Sequence, residues 1–230
     1  MTTTLITGAN KGLGFETARR LIAAGHTVYL GSRDEERGRA AAAALGATPI
    51  VIDITDDASV AAAAKTVEAA GGLDVLVNNA AIAGPWAAVG DVTADTLGPL
   101  YDTNVFGVVR TMHAFLPLLA RSAAAVVVNV SSGLGSMFRA TDPNSMESKF
   151  PSLAYGSSKA AVNMLTVRYA QAYPAMRINC VDPGYTATDL NGNSGTQTVE
   201  QGAEIIVRMA QLGPDGPTGS YADAEGGIPW

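Results

Sequence analysis

A short apolar run breaks into glycines and then into a helix-forming stretch at the start of this chain, and few folds accommodate that order. Thr4-Leu5-Ile6 is β-prone, Thr7-Gly8-Ala9-Asn10-Lys11-Gly12-Leu13-Gly14 follows, and Phe15 to Ala24 reads as a helix. Strand, glycine turn and helix form the context in which a glycine motif means phosphate binding. Gly8 permits the tight turn, Gly12 lets backbone approach a pyrophosphate, and Gly14 allows close helix–strand packing. The helix N-terminus then presents unpaired N–H groups and a positive dipole end to an anion. The glycine spacing is GxxxGxG rather than GxGxxG.

The rest of the chain repeats the alternation. Strands are predicted at Thr3–Thr7, Thr27–Gly31, Thr48–Asp53, Val75–Asn78, Ala125–Ser131 and Arg177–Asp182, with a short last one at Ser220–Ala222. Helices are predicted at Leu13–Ala24, Glu35–Leu45, Asp57–Ala70, Tyr101–Ala120, Ala154–Tyr173 and Val199–Leu212. Such alternation predicts an α/β fold with a parallel sheet covered by helices on both faces. Continuously apolar strands such as Val126-Val127-Val128 fit burial on both sides. Right-handed crossovers make this a doubly wound, Rossmann-type sheet. The 230 residues form one expected domain, 1–230, with no linker or repeat. The alanine runs Ala40–Ala44 and Ala61–Ala64 read as helix interiors.

Composition narrows the partners. A net charge of -6 argues against nucleic acid. No apolar run approaches the roughly 20 residues needed to span a bilayer, so no membrane partner is expected. The N-terminus shows no charged n-region and no cleavage site, so no signal peptide is expected. Cys180 is the single cysteine and lies in an apolar run, which suits a buried hydrophobe in a reducing, cytoplasmic setting. No His, Cys, Asp and Glu cluster has metal-ligand spacing, and none is expected to hold a metal.

Chemistry is concentrated in Tyr155-Gly156-Ser157-Ser158-Lys159. Residues four apart share a helix face, so a phenol and an ammonium lie side by side. A cation there is expected to lower the tyrosine pKa and make Tyr155 a usable acid or base. The other candidates fall where ligands bind in such sheets, beyond the carboxyl ends of the strands. The glycine turn follows the first strand, Asn78-Asn79 ends the fourth, Ser131-Ser132 ends the fifth, and Pro183-Gly184 follows the sixth.

Together these segments resemble the short-chain dehydrogenase/reductase family over essentially the whole chain, and the wording is nearest to its NADPH-dependent carbonyl reductases. Thr7 to Gly14 is similar to its cofactor turn, and Asp53 to the acid that meets the adenine. Asn78-Asn79-Ala80 resembles its Asn-Asn-Ala-Gly element, although Ala81 replaces the glycine. Asn104, Ser132, Tyr155 and Lys159 match its catalytic tetrad, and Pro183-Gly184 with Thr188 the segment that holds the nicotinamide. The resemblance implies a cofactor site of Gly8, Asn10, Lys11, Gly12, Leu13, Gly14, Arg33, Asp53, Ile54, Asn79, Ala80, Tyr155, Lys159, Pro183, Gly184, Thr186 and Thr188. In the mechanism it implies, Ser132 donates to the substrate oxygen and Tyr155 gives the proton. Lys159 lowers the Tyr155 pKa and holds the nicotinamide ribose, and Asn104 supports a water path to Lys159.

The cofactor expected is NADP(H), and the substrate a small carbonyl or alcohol. NADP enzymes place an arginine after the second strand where NAD enzymes place an acid. Here Ser32 can accept a phosphate contact, Arg33 follows, and Lys11 adds a charge on the glycine turn. Asp34 reads as the N-cap of the next helix. Two alternatives remain: a dehydrogenase working mainly in the oxidative direction or on a non-carbonyl bond, and a non-catalytic dinucleotide sensor. One departure from the family is a long gap between Ser132 and Tyr155, which resembles an insertion over 138–147. It is either a surface loop without a role or part of the substrate mouth with Met137 and Phe138, where Tyr185, Leu190 and Trp230 add apolar walls. Its bearing on assembly, monomer or homo-oligomer through helices, stays open. The polar stretch 191–196 is read as a mobile lid or a disordered loop, and His26 and His113 match no family site.

Overall fold

Strand β1 (Thr3–Ile6) is the centre of the sheet because both of its faces are covered. In the computed structural model, which describes residues 2–84, 86–150 and 152–230, Leu5 and Ile6 are both fully buried. β2 (Thr27–Ser32) and β3 (Thr48–Val51) lie on one side of it, and β4 (Val75–Asn78), β5 (Val126–Val130), β6 (Arg177–Val181) and β7 (Tyr221–Ala222) on the other. The order β3-β2-β1-β4-β5-β6-β7 is parallel throughout. The pleat sorts side chains to two cores. Leu5, Leu76, Val127 and Ile178 face helices α3 (Asp57–Ala69), α5 (Gly107–Leu119) and α7 (Leu153–Ala172). Ile6, Val77 and Val128 face α1 (Gly12–Ala23), α2 (Glu35–Leu45) and α8 (Val199–Ala210). The doubly wound sheet expected from the alternation is therefore the fold.

Local chemistry sets the helix ends. Asp34 caps α2 by accepting from Arg37 N at 2.9 Å, and Gly46 ends that helix at φ 69°. Thr198 and Gln201 close a reciprocal cap at the start of α8. Asp74 accepts from Thr3 N at 2.8 Å and Ser122 Oγ at 2.6 Å, fixing backbone before β4 as its position suggests.

The region after β4 departs from expectation. The helix predicted over Tyr101–Ala120 is three pieces: α4 (Ala94–Tyr101), a π turn (Asp102–Phe106) and α5. Gly98-Pro99 argues for a break, but the Thr93–Thr96 capping box starts a helix ahead of them. The insertion is not a featureless loop either. It holds the short helix α6 (Met137–Thr141), capped by Ser136, and a single turn at Glu147–Lys149. No helix among the described residues is long and apolar enough to cross a membrane.

Candidate active site

The strand order reverses between β1 and β4, and the glycine turn occupies the crevice that this leaves. Its three glycines do different jobs. A Cβ on Gly8 (φ 62°) would fall 2.9 Å from Ala80 Cα, and one on Gly14 only 2.6 Å from Asn79 Nδ2. Both are therefore needed to seat the turn on the end of β4. Asn79 Nδ2 completes that seat by donating to Thr7 O and Gly8 O, while Thr7 Oγ1 accepts from Asn79 N and Ala80 N. Gly12 (φ 57°) is open, the nearest atom to its Cβ position being Thr188 Cγ2 at 3.7 Å. Lys11 precedes α1 and no side chain among the described residues caps that helix, so its N–H groups face the same space. A free helix N-terminus behind an unobstructed glycine fits a diphosphate.

Residues expected at the adenosine end come together after β2 and β3. Arg33 is exposed, and its charge helps to lower the pKa of Asp53, whose main cause is the Thr55 N–H donating to the carboxylate. Ile54 is buried against Gly107. Ser32 does not present its hydroxyl as expected: Oγ donates to Asp34 O at 2.8 Å and accepts from Asp34 N at 3.2 Å. Lys11 Nζ lies 2.7 Å from Asp189 Oδ2, an exposed pair that joins the glycine turn to the segment beyond Thr188.

The catalytic candidates meet at the N-terminus of α7. Tyr155 and Lys159 are 9 % and 3 % exposed, with Nζ 5.5 Å from the ring centroid. The Gly133–Gly135 turn that follows Ser132 approaches α7 closely. A Cβ on Gly135 would lie 2.7 Å from the Lys159 carbonyl carbon, and one on Gly156 3.0 Å from Leu134 O. The two adjacent serines are now distinguishable. Ser131 is buried and donates to Asn163 Oδ1 at 2.5 Å, whereas Ser132 is half-buried and its Oγ only accepts from Leu134 N at 3.3 Å. Tyr221 fixes Ser132 from behind by donating to its carbonyl at 2.5 Å.

Electrostatics reverse one expectation. Burial pushes the Tyr155 phenol well above its ordinary pKa, and the charge of Asp182 adds to the effect. Lys159 does not offset this, because its ammonium lies over the ring and donates to Val130 O at 2.8 Å, and its own burial lowers its pKa to about 8. Desolvation disfavours the charged form of each group and outweighs the neighbouring cation. Asn104, buried in the π turn, accepts from Ile82 N and donates to Ile82 O, both at 2.9 Å, and reaches Ser158 Oγ at 3.2 Å. It pins the loop after β4, with its direct hydrogen bonds going to Ile82 and Ser158.

Side-chain hydrogen bonds cross-link the segment after β6. Gly184 (φ 73°) donates to Asp182 Oδ1 at 2.9 Å, and Gln197 donates to Pro183 O and to Thr186 Oγ1. Asn191 Oδ1 accepts from Thr188 N, Asn191 Nδ2 donates to Thr186 O, and Tyr185 pairs with Ser194 at 2.6 Å. The exposed Trp86 ring lies 6.0 Å from Tyr155 between centroids, and the exposed Phe150 ring meets Tyr185 at 6.4 Å. Trp230 instead stacks on Tyr221 at 5.5 Å. Asp182, Arg139 and Gln197 have no counterpart among the residues singled out from the sequence. Asp182 borders Pro183-Gly184 and was findable there, whereas nothing in the spacing points to the other two. Among the described residues no group of His, Cys, Asp and Glu could hold a metal.

Known proteins resemble this chain in sequence and fold. The short chain dehydrogenase family model matches residues 2–199. A short-chain dehydrogenase, anuI, of Penicillium roqueforti is 40% identical over 226 residues, covering 91% of this chain and 88% of its own. The (+)-neomenthol dehydrogenase of Capsicum annuum is 32% identical over 295 aligned residues, covering 94% of each chain, so it carries insertions that this one lacks. The structure of NADPH-bound carbonyl reductase from chicken fatty liver superposes with a TM-score of 0.87 at 26% identity, over 100% of this chain and 99% of that one. With the family model over most of the chain and relatives of this identity and coverage, the chain belongs to the short-chain dehydrogenase/reductase family, whose oxidoreductases use nicotinamide dinucleotides.

Proposed function

We propose that this chain reduces a carbonyl group with NADPH. The reading is carried by one observation: the Tyr155 phenol and Lys159 ammonium are buried together on α7, and the turn that follows the half-exposed Ser132 packs against that helix. The nicotinamide supplies the hydride when bound, and the protein has to manage the oxygen. Ser132 Oγ donates to that oxygen and stabilises the charge that develops on it. Tyr155 delivers the proton, and its phenol is in the donor form at neutral pH. Lys159 is held by Val130 O and presents the charge that orients the cofactor ribose. Asn104 acts at one remove by holding Ile82. The glycine turn, Asn79, Ala80 and the Pro183–Thr188 segment border the cofactor groove.

Preference for NADPH rests on Arg33 and on the employment of Asp34. The Asp34 carboxylate caps α2 and also meets Arg37 at 3.4 Å, so it is turned away from reading a ribose hydroxyl. The exposed rings Trp86, Phe150 and Tyr185 favour an apolar ketone or aldehyde of some size. A panel of ketones, aldehydes, quinones and the matching alcohols, assayed with both cofactors by nicotinamide absorbance, tests the reading. Carbonyl turnover with NADPH is expected, and activity confined to NADH or to alcohol oxidation defeats it.

A further inference from the structure

Arg139 is the junction of three parts of the molecule that are distant in sequence. Its guanidinium lies 3.3 Å from Glu147 in the insertion, 3.3 Å from Asp182 at the end of β6 and 2.8 Å from Asp223 after β7. The arginine side chain is 27% exposed and that of Asp182 9%. Asp182 is itself a bridge, because it accepts from the Gly184 N–H and is stabilised by the Gly133 N–H next to Ser132. A Cβ on Gly133 would fall 2.9 Å from Asp182 Oδ2, so the cluster presses directly on the Ser132 turn.

We propose that Arg139 is a positioning residue for catalysis: it clamps the Pro183-Gly184 segment against the Ser132 turn and balances the buried Asp182 carboxylate that faces Tyr155 and Lys159. The inference rests on the catalytic reading of Tyr155 given above. The charged and titratable groups that act on or share partners with that carboxylate are Arg139 from α6, Glu147 from the following turn, Tyr155 and Lys159 from α7, Cys180 from β6, Tyr221 from β7, and Asp223 through their common partner Arg139. Arg139 and Lys159 are the cations of this set. Removing Arg139 leaves more negative charge beside a phenol and an ammonium, which disfavours phenolate and favours ammonium, so both titrations move upward. Neutralising Asp182 moves both downward.

The test uses Arg139→Gln, Arg139→Lys, Asp182→Asn and the Arg139→Gln/Asp182→Asn pair. The alkaline limb of alcohol oxidation is expected to rise by roughly half a pH unit in Arg139→Gln, to fall in Asp182→Asn, and to fall again in the double variant. Arg139→Lys should restore the pH limb without restoring thermal stability, because an ammonium cannot span three carboxylates as a planar fork does. Lys159 titration, followed by NMR of its side-chain carbon and assigned with Lys159→Ala, gives a readout independent of turnover. Its midpoint is expected to rise in Arg139→Gln and fall in Asp182→Asn. If no carbonyl is turned over, the functional proposal fails while the NMR arm still decides this one. An Arg139→Gln variant that loses stability but keeps both midpoints overturns the clamp's electrostatic role. Should that variant not fold, an unmoved Lys159 midpoint in Asp182→Asn overturns it equally.

Discussion

Burial decides the behaviour of the two most important side chains. Tyr155 and Lys159 are both enclosed, and each is pushed toward its neutral form. For Lys159 this has a stability consequence with a definite sign. Its folded pKa of about 8 lies below the ordinary 10.5, so between those values the unfolded chain binds the extra proton and stability rises with pH. Below about pH 8 the full cost of a buried ammonium is present, on the order of 3 kcal/mol less the hydrogen bond to Val130. Lys159→Met should therefore be more stable than the parent at pH 7, with the gain fading as pH climbs through 8 to 10.5. Denaturant unfolding of both proteins across that range checks it, and a less stable variant at pH 7 contradicts it. Tyr155→Phe should keep the fold and dinucleotide binding yet lose roughly 10²–10⁴-fold in turnover; near-parental rates would exclude Tyr155 as the proton donor. The positions of these residues were legible because the Tyr–Lys spacing is local. Their ionisation was not, since it depends on how much water the whole assembly excludes. Arg139 and Asp223 were illegible for a related reason, being ion-pair partners 84 positions apart.

Elements were legible where their signals agreed. Outside the stretch between β4 and β5, each main strand and helix lies within a few residues of its expected place, because apolar runs and caps coincide there. The stretch from Thr93 to Gly107 carries conflicting signals. Thr93 opens a helix, Gly98-Pro99 opposes it, and the π turn that buries Asn104 arises only once α4 and α5 have to share one path. The glycine turn shows how one motif divides between folding and binding. Gly14→Ala places a methyl group 2.6 Å from Asn79 Nδ2 and 2.8 Å from Ala9 Cα, an overpacking worth about 1–3 kcal/mol. Gly12→Ala meets only Thr188 and the strain of its positive φ, about 1–2 kcal/mol. Both variants should lower Tm, but only Gly12→Ala is expected to weaken dinucleotide binding out of proportion to its stability. Calorimetric unfolding beside fluorescence titration with NADPH separates the two, and equal proportional losses would remove the distinction.

At the scale of the molecule, a net charge of -6 works against binding any polyphosphate. In the proposed NADPH reading, local cations have to overcome that field around the extra phosphate. Arg33 is exposed beside the end of β2 and has Asp53 nearby, whereas Lys11 is already paired with Asp189 at 2.7 Å. An exposed pair of that kind contributes little to stability, so exchange of Lys11 from Asp189 to a phosphate has a small barrier. The two cations then carry separable shares of the preference. Arg33→Ala loses a charged hydrogen bond of about 1.5–3 kcal/mol, and NADPH efficiency should fall roughly 10- to 100-fold while NADH efficiency hardly changes. Asp189→Asn frees Lys11 and removes a negative charge, so it should strengthen NADPH binding, most at low ionic strength where screening is weakest. Steady-state comparison of both cofactors at two salt concentrations measures both shares. A parent enzyme that prefers NADH, or an Arg33→Ala variant that loses the two cofactors equally, would assign ribose reading to Asp34 in spite of its cap on α2.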